Sequence, residues 1–257
     1  MRKSFFYMKT LRSLQILEYL AARRHCSIDE LTSHFAVSPA TMYRNVSELA
    51  ERGALRRVSG GVVLSESQAV SAAPEASAAL PFLLRIHRNA DKKEQMAQSA
   101  LALIEDGEIV FLDSSTSSLY LARALQKALF SNLTVISNSV LIMQEFHQFP
   151  AHFMLCGVGG GFSASLNSFL GGTALESLEK LRIDRAFFSA VGFKDDVAST
   201  FNEEHAAFLR LLLKRAGKSH LLLDSSKLGK AGLYEICRRE ELGSIICDAE
   251  PPKAKKQ

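Results

Sequence analysis

From Glu108 onward the chain alternates short apolar runs with stretches of helical periodicity, a rhythm that few folds accept. The apolar runs are Glu108–Leu112, Leu133–Ile136, His152–Cys156, Arg185–Ser189, His220–Leu223 and Ser244–Cys247. Spacing of apolar residues by three and four predicts helices near 91–105, 117–128, 139–146, 173–181, 203–216 and 231–241. Parallel strands need a long crossover, usually a helix, so this alternation predicts βαβ units in an α/β domain with a mainly parallel sheet.

Ahead of that domain lies a break. Ser65 to Ser77 is small, polar and without period, and reads as a linker. The chain is therefore divided into a small first domain (8–64), a linker (65–80), the α/β domain (81–250) and a basic tail (251–257). Charge follows the same division. Residues 1–61 hold ten Lys/Arg against five Asp/Glu, a net of +5, while the remainder carries twenty-one against twenty-two, a net of −1. A small basic module on a neutral body fits a polyanionic partner for the module alone.

In that module Leu11, Leu14, Leu17 and Leu20 repeat at helical spacing. Ser27-Ile28-Asp29-Glu30 has the pattern of a capping box, opening a short helix with Leu31 and Phe35 inward. Ser38-Pro39 opens a third helix, Ser as N-cap and Pro at the first helical position. There Met42, Val46 and Leu49 share one face, Thr41, Tyr43, Arg44 and Ser47 lie on others, and Gly53 supplies the stop. Two short helices with polar residues opening the second make a helix-turn-helix. The segment Leu55–Leu64, turning at Ser59-Gly60-Gly61, predicts a hairpin wing with Arg56 and Arg57 facing phosphates. The candidate DNA-binding residues are Ser38, Thr41, Tyr43, Arg44, Ser47, Arg56 and Arg57, with a double-stranded operator as partner.

Arg12, Leu14 and Ile16, the Ser38–Met42 helix opening, and Leu55–Gly61 resemble the DeoR family of bacterial regulators. That family has Thr-Ile-Arg-Arg-Asp-Leu where this chain has Thr41-Met42-Tyr43-Arg44-Asn45-Val46, so Arg44 matches while Tyr43 and Asn45 depart. The resemblance continues through Arg85, Asn89 and Lys93 ahead of a helix, through Asp106-Gly107, and through Leu222–Gly229. It implies a winged helix-turn-helix joined to a sensor domain sharing the fold of ribose-5-phosphate isomerases, and a repressor of a carbohydrate operon controlled by a phosphorylated metabolite.

The second site follows from the α/β reading, since ligands in such sheets lie beyond the carboxyl ends of strands. After Glu108–Leu112 come Asp113, Ser114, Ser115, Thr116, Ser117 and Ser118, then a helix. A hydroxyl-rich loop feeding a helix N-terminus presents N–H groups, hydroxyls and a positive dipole end to an anion. This loop is similar to the phosphate loop of DeoR-type sensors. Asn138, Gly159, Gly160 and Lys227 follow other strands and complete the candidate effector set, with Lys227 to neutralise a phosphate. Val191 stands where the family has an acidic residue, Phe208 where it has a lysine, and Ser115 where it has a glycine.

The alternative is a phosphosugar isomerase with an added N-terminal domain. Enediol chemistry needs a general base, and Val191 removes an acidic candidate, while His205 beside Glu203-Glu204 reads as a surface helix residue. No enzyme activity and no cofactor are therefore expected. Cys26, Cys156, Cys237 and Cys247 are widely spaced, which predicts reduced thiols and neither a disulfide framework nor a metal site. No apolar run spans a bilayer and no secretory signal opens the chain, so a cytoplasmic, non-membrane protein is expected. One winged module makes a small footprint, so a homo-oligomer, dimer or tetramer, is expected.

Overall fold

The computed structural model describes residues 16–17, 19–20, 23, 25–51, 55–64 and 82–249. Leu11, Leu14, Gly53, the 65–80 linker and the 251–257 tail lie outside the described residues. The chain divides into two compact units. Described residues up to Leu64, with Leu83–His87, form one, and Phe82 with the chain from Arg88 onward forms the other.

The first unit contains β1 (His25–Cys26), α1 (Ile28–His34), α2 (Pro39–Glu51), β2 (Leu55–Val58) and β3 (Gly61–Leu64). Ser27 caps α1, its hydroxyl accepting the Glu30 N–H at 3.0 Å. Ser38 does the same for α2, accepting the Thr41 N–H at 3.3 Å. Ile16, Leu17, Leu20, Leu31, Met42, Val46 and Leu49 close around Cys26 in one core. The strands form an antiparallel sheet in the order β1-β3-β2. Both glycines of the wing turn are required, for different reasons. Gly60 adopts φ +85°, while a Cβ on Gly61 would meet the Cys26 carbonyl oxygen of β1 at 2.2 Å.

A short helix, α3 (Phe82–His87), precedes the larger unit's own succession. That unit runs α4 (Ala90–Leu101), β4 (Ile109–Leu112), α5 (Thr116–Leu125), β5 (Thr134–Ser137), α6 (Val140–Gln144), β6 (Met154–Gly157), β7 (Gly161–Ser163) and β8 (Ser168–Leu170). It continues with α7 (Gly172–Glu179), β9 (Ile183–Phe188), β10 (Gly192–Lys194), β11 (Val197–Thr200), α8 (Glu203–Arg215), β12 (Ala216–Leu222), β13 (Tyr234–Arg238) and β14 (Ser244–Ile246). Six of these strands make a sheet in the order β14-β12-β9-β4-β5-β6. Every pairing in it is parallel, so the expected α/β domain is present. The chain leaves β4 toward β5 and β6, then returns to the other side of β4 with β9. The topological switch point therefore lies between β4 and β9, where open α/β sheets hold ligands.

Four expectations need correction. The 231–241 helix is instead β13, third strand of an antiparallel sheet β10-β11-β13, because Ile236 and Cys237 bury against the core while β11 supplies the hydrogen bonds. The 139–146 helix is short, ending at Gln144 and followed by a 3-10 turn at Phe146–Gln148. His205 is buried in the first turn of α8. Lys93 lies within α4 rather than ahead of it, and is also buried. Among the described residues no helix is long and apolar enough to cross a membrane, and no His/Cys/Asp/Glu cluster has the grouping of a metal site. All four cysteines are free thiols, Cys26 and Cys237 being buried.

Candidate DNA interface and candidate effector site

On α2, residues that pack and residues that face outward are separate sets. Met42, Val46 and Leu49 are buried, whereas Tyr43 and Arg44 are exposed. Ser38 and Thr41 pair their hydroxyls at 2.8 Å, closing the first turn. Ser47 donates to the Tyr43 carbonyl at 2.7 Å and in turn accepts a hydrogen bond from the Arg57 guanidinium. Helix and wing are thus joined along Tyr43, Ser47 and Arg57. Arg56 is equally exposed. Successive strand residues point to opposite faces, so the fold does not bring Arg56 onto that line. Asn45 turns inward, and its amide nitrogen has no partner among the described residues.

In the larger unit the Asp113–Ser118 loop occupies the switch point. Asp113 is fully buried and works as a scaffold. Its Oδ1 accepts the Ser115 N–H at 3.0 Å and the Ser118 hydroxyl at 2.6 Å. Oδ2 accepts the Ser189 N–H at 3.1 Å, tying the loop to the end of β9. Ser115 caps α5, accepting the Ser118 N–H at 3.1 Å. The first N–H groups of a helix have no intrahelical acceptor, which leaves those of Thr116 and Ser117 facing outward from the helix start. The Ser117 hydroxyl is buried without a partner among the described residues. Ser114 and Thr116 of the same loop are also buried.

Ser189 brings Lys227 to this loop. Its ammonium donates to the Ser189 hydroxyl at 2.9 Å and lies 3.8 Å from the Asp224 carboxylate. Burial works against the Asp224 charge, yet Lys227, Ser226, Lys93 and Asn89 together hold its carboxyl below the usual range. Asn138, at the end of β5, donates instead to the Ser168 hydroxyl at 2.9 Å and the Phe169 carbonyl at 3.2 Å. Its Oδ1 is buried and without a partner among the described residues. Gly160 serves packing, since a Cβ there would meet the Leu170 carbonyl at 2.6 Å, while a Cβ on Gly159 would meet nothing within 4 Å. A separate cavity of about 400 Å³ is lined by Gly161, Phe162, Ser163, Leu170, Gly171, Gly172, Thr173 and Glu204, none of them in the candidate set.

With this geometry in place, comparison with known proteins gives a consistent answer. A DeoR C terminal sensor domain model matches residues 88–249, and a DeoR-like helix-turn-helix domain model matches residues 12–68. The chain belongs to the DeoR family of transcriptional regulators. It is 30% identical over 244 residues to the HTH-type transcriptional regulator IolR of Bacillus subtilis, covering 93% of this chain and 91% of that protein. It is likewise 30% identical to the transcriptional repressor AccR of Agrobacterium fabrum, over 93% and 89% of the two chains. The L-fucose operon activator of Escherichia coli is 29% identical, over 94% and 96%. Among solved structures, ribose 5-phosphate isomerase A of Methanocaldococcus jannaschii is similar at a TM-score of 0.39 and 19% identity. The similarity spans about half of each chain, 55%. Similarity at that level says nothing about activity.

For a DeoR regulator the departures from the family pattern now have locations. Tyr43 lies on the exposed face of α2, so its change alters a surface that the fold does not depend on. Asn45 lies inside, where an amide replaces a carboxylate. Val191 is half-buried at the turn after β9. Phe208 is a core residue at 0% exposure, tilted against Phe111 at 5.9 Å, so it takes nothing from the effector site. Sequence reasoning missed Ser189, which joins Asp113 to Lys227. Its one signal is a polar residue closing the apolar run Ala186-Phe187-Phe188 at a strand's carboxyl end.

Proposed function

We propose that this DeoR-family regulator binds a double-stranded operator as a homo-oligomer through α2 and the wing, and represses a carbohydrate-metabolism operon. A phosphorylated sugar or related metabolite in the loop after β4 changes its affinity for DNA. Tyr43, Arg44 and Ser47 read base edges, while Arg56 and Arg57 contact phosphates. Relatives carrying the names lactose phosphotransferase system repressor and L-fucose operon activator support a carbohydrate operon.

The observation that carries the effector half is Ser117. A buried hydroxyl without a partner is costly unless a ligand or water completes it, and here it sits at a helix start with two outward N–H groups. Phosphate oxygens accept from all three donors, and Lys227 balances their charge. The Asn138 Oδ1, at the end of the adjacent strand, accepts from a hydroxyl, which suits a ligand bearing both groups. No observation on this chain favours the isomerase alternative. The protein is read as a cytoplasmic, non-enzymatic regulator needing no cofactor.

Thermal unfolding with inorganic phosphate and with triose, pentose and hexose phosphates tests the effector half, because a ligand of the folded state raises its melting temperature. A rise with a phosphorylated sugar, absent with the unphosphorylated sugar and in Ser117→Ala, is expected. No rise with any anion overturns the loop assignment.

A further inference from the structure

The hydrogen bonds behind Lys227 continue past Asp224 to the first residues of the sensor unit. Asp224 is buried, and its Oδ1 accepts the Asn89 side-chain amide at 3.0 Å and the Ser226 N–H at 3.2 Å. The same Asn89 amide donates to the Ser226 hydroxyl at 3.2 Å. Asn89 is the N-cap of α4 and adopts a left-handed backbone, φ 55° and ψ 41°, which costs a non-glycine residue free energy unless its surroundings hold it there. Its own side chain makes no cap bond, so the bonds to Asp224 and Ser226 are what hold it. Asn89 also supplies the carbonyl that accepts the Lys93 N–H at 3.1 Å, the first hydrogen bond of α4. The chain passes from one compact unit to the other between His87 and Arg88, two residues earlier.

We propose that Asp224 is a positioning residue that couples effector binding to the start of α4. The ligand anion and the Asp224 carboxylate compete for one ammonium, Lys227, and occupancy of the loop loosens the Asn89 anchor. The element with two arrangements is the Lys227 ammonium, held either by Ser189 and Asp224 or by the ligand. Drawing it toward the loop leaves a buried carboxylate facing a second anion with less compensation, which strains the bonds on its other oxygen. Because such coupling is reciprocal, removing the Asp224 charge tightens anion binding. This rests on the effector-site reading above, from which it is separable.

Hydrogen exchange of the full-length protein, with and without saturating inorganic phosphate, separates them. Phosphate is expected to slow exchange of the amides at 116–118, which reports the site, and to speed exchange of the Lys93 amide, which reports the anchor. Asp224→Asn is expected to show the faster Lys93 exchange without phosphate and to bind phosphate about tenfold more tightly. Asn89→Gly, which takes the left-handed backbone without strain, is expected to lose the phosphate effect at Lys93 while keeping it at 116–118. Protection at 116–118 with unchanged Lys93 exchange overturns the coupling and leaves the site standing. If phosphate leaves exchange at 116–118 unchanged, the site reading fails. In that case wild-type Lys93 exchange in Asp224→Asn overturns the coupling independently.

Discussion

On α2 the residues aimed outward, Tyr43 and Arg44, contribute nothing to the packing carried by Met42, Val46 and Leu49. In the sensor unit the buried Asp113 accepts from both Ser118 and Ser189, so the scaffold runs directly through the candidate loop. The contrast shows how each half can change. A reading surface separate from its core can be rewritten, as Tyr43 departs from the family pattern while the helix keeps its cap and the buried Met42, Val46 and Leu49. At Asp113 the self-bonded loop tolerates little, since a substitution there disturbs stability and ligand binding together.

The largest effect should come from Asp113→Ala, which leaves the Ser115 N–H, the Ser118 hydroxyl and the Ser189 N–H without their acceptor. A loss of about 3–4 kcal/mol is expected in chemical denaturation. An unchanged midpoint would break the contrast. Arg44→Ala should do the reverse, costing about 1–3 kcal/mol in operator affinity with no change in unfolding. Binding assays beside melting curves check both, and a drop in stability would show that α2 does not separate its two roles.

A third outcome sharpens the sensor side through pH. His220 is buried, stacked on Phe187 at 5.1 Å and hydrogen bonded to Ser244, with the Arg185 guanidinium at 3.2 Å. Burial first, and the Arg185 charge second, lower its pKa from 6.5 to about 4. The unfolded chain takes up this proton below about pH 6.5 and the folded one resists until about 4. Stability therefore falls as pH drops through that window, by roughly 2 kcal/mol. His220→Gln should flatten the curve. An equally steep curve in the variant would place the titration elsewhere.

The smallest effect belongs to the wing. Arg56→Ala and Arg57→Ala should each reduce the slope of log affinity against log salt by about one, for every DNA sequence alike. Because Arg57 also bonds Ser47 of α2, only Arg57→Ala should alter sequence preference as well.

Much of this was legible because local signals decide it. Ser38-Pro39 caps and starts α2, and Ser59-Gly60-Gly61 turns the wing. Apolar runs at the right separation make a parallel sheet. What escaped depends on partners distant in sequence. Leu233, Ile236 and Cys237 fall at helical spacing, yet β11 captures the segment as a strand, while Arg239 pairs with Asp196 at 2.7 Å. The β10–β11 hairpin did carry a local signal, Asp195-Asp196, both at positive φ in a two-residue turn. Ser189 reaches Asp113 only because β9 lies beside β4 in the register Leu112 to Phe187. His205 follows two glutamates yet turns inward because α8 packs against the sheet.

The central claim is that a phosphorylated metabolite, held by the Ser117 hydroxyl, the helix start and Lys227, controls DNA binding. The direct measurement is operator affinity of the full-length protein, on a fragment selected from random DNA, across a panel of sugar phosphates. One phosphorylated sugar should shift that affinity about tenfold or more, and the shift should vanish in Ser117→Ala and Lys227→Met while both variants still bind the operator unliganded. Operator affinity unmoved by every phosphorylated compound, or a shift that survives both substitutions, would contradict it.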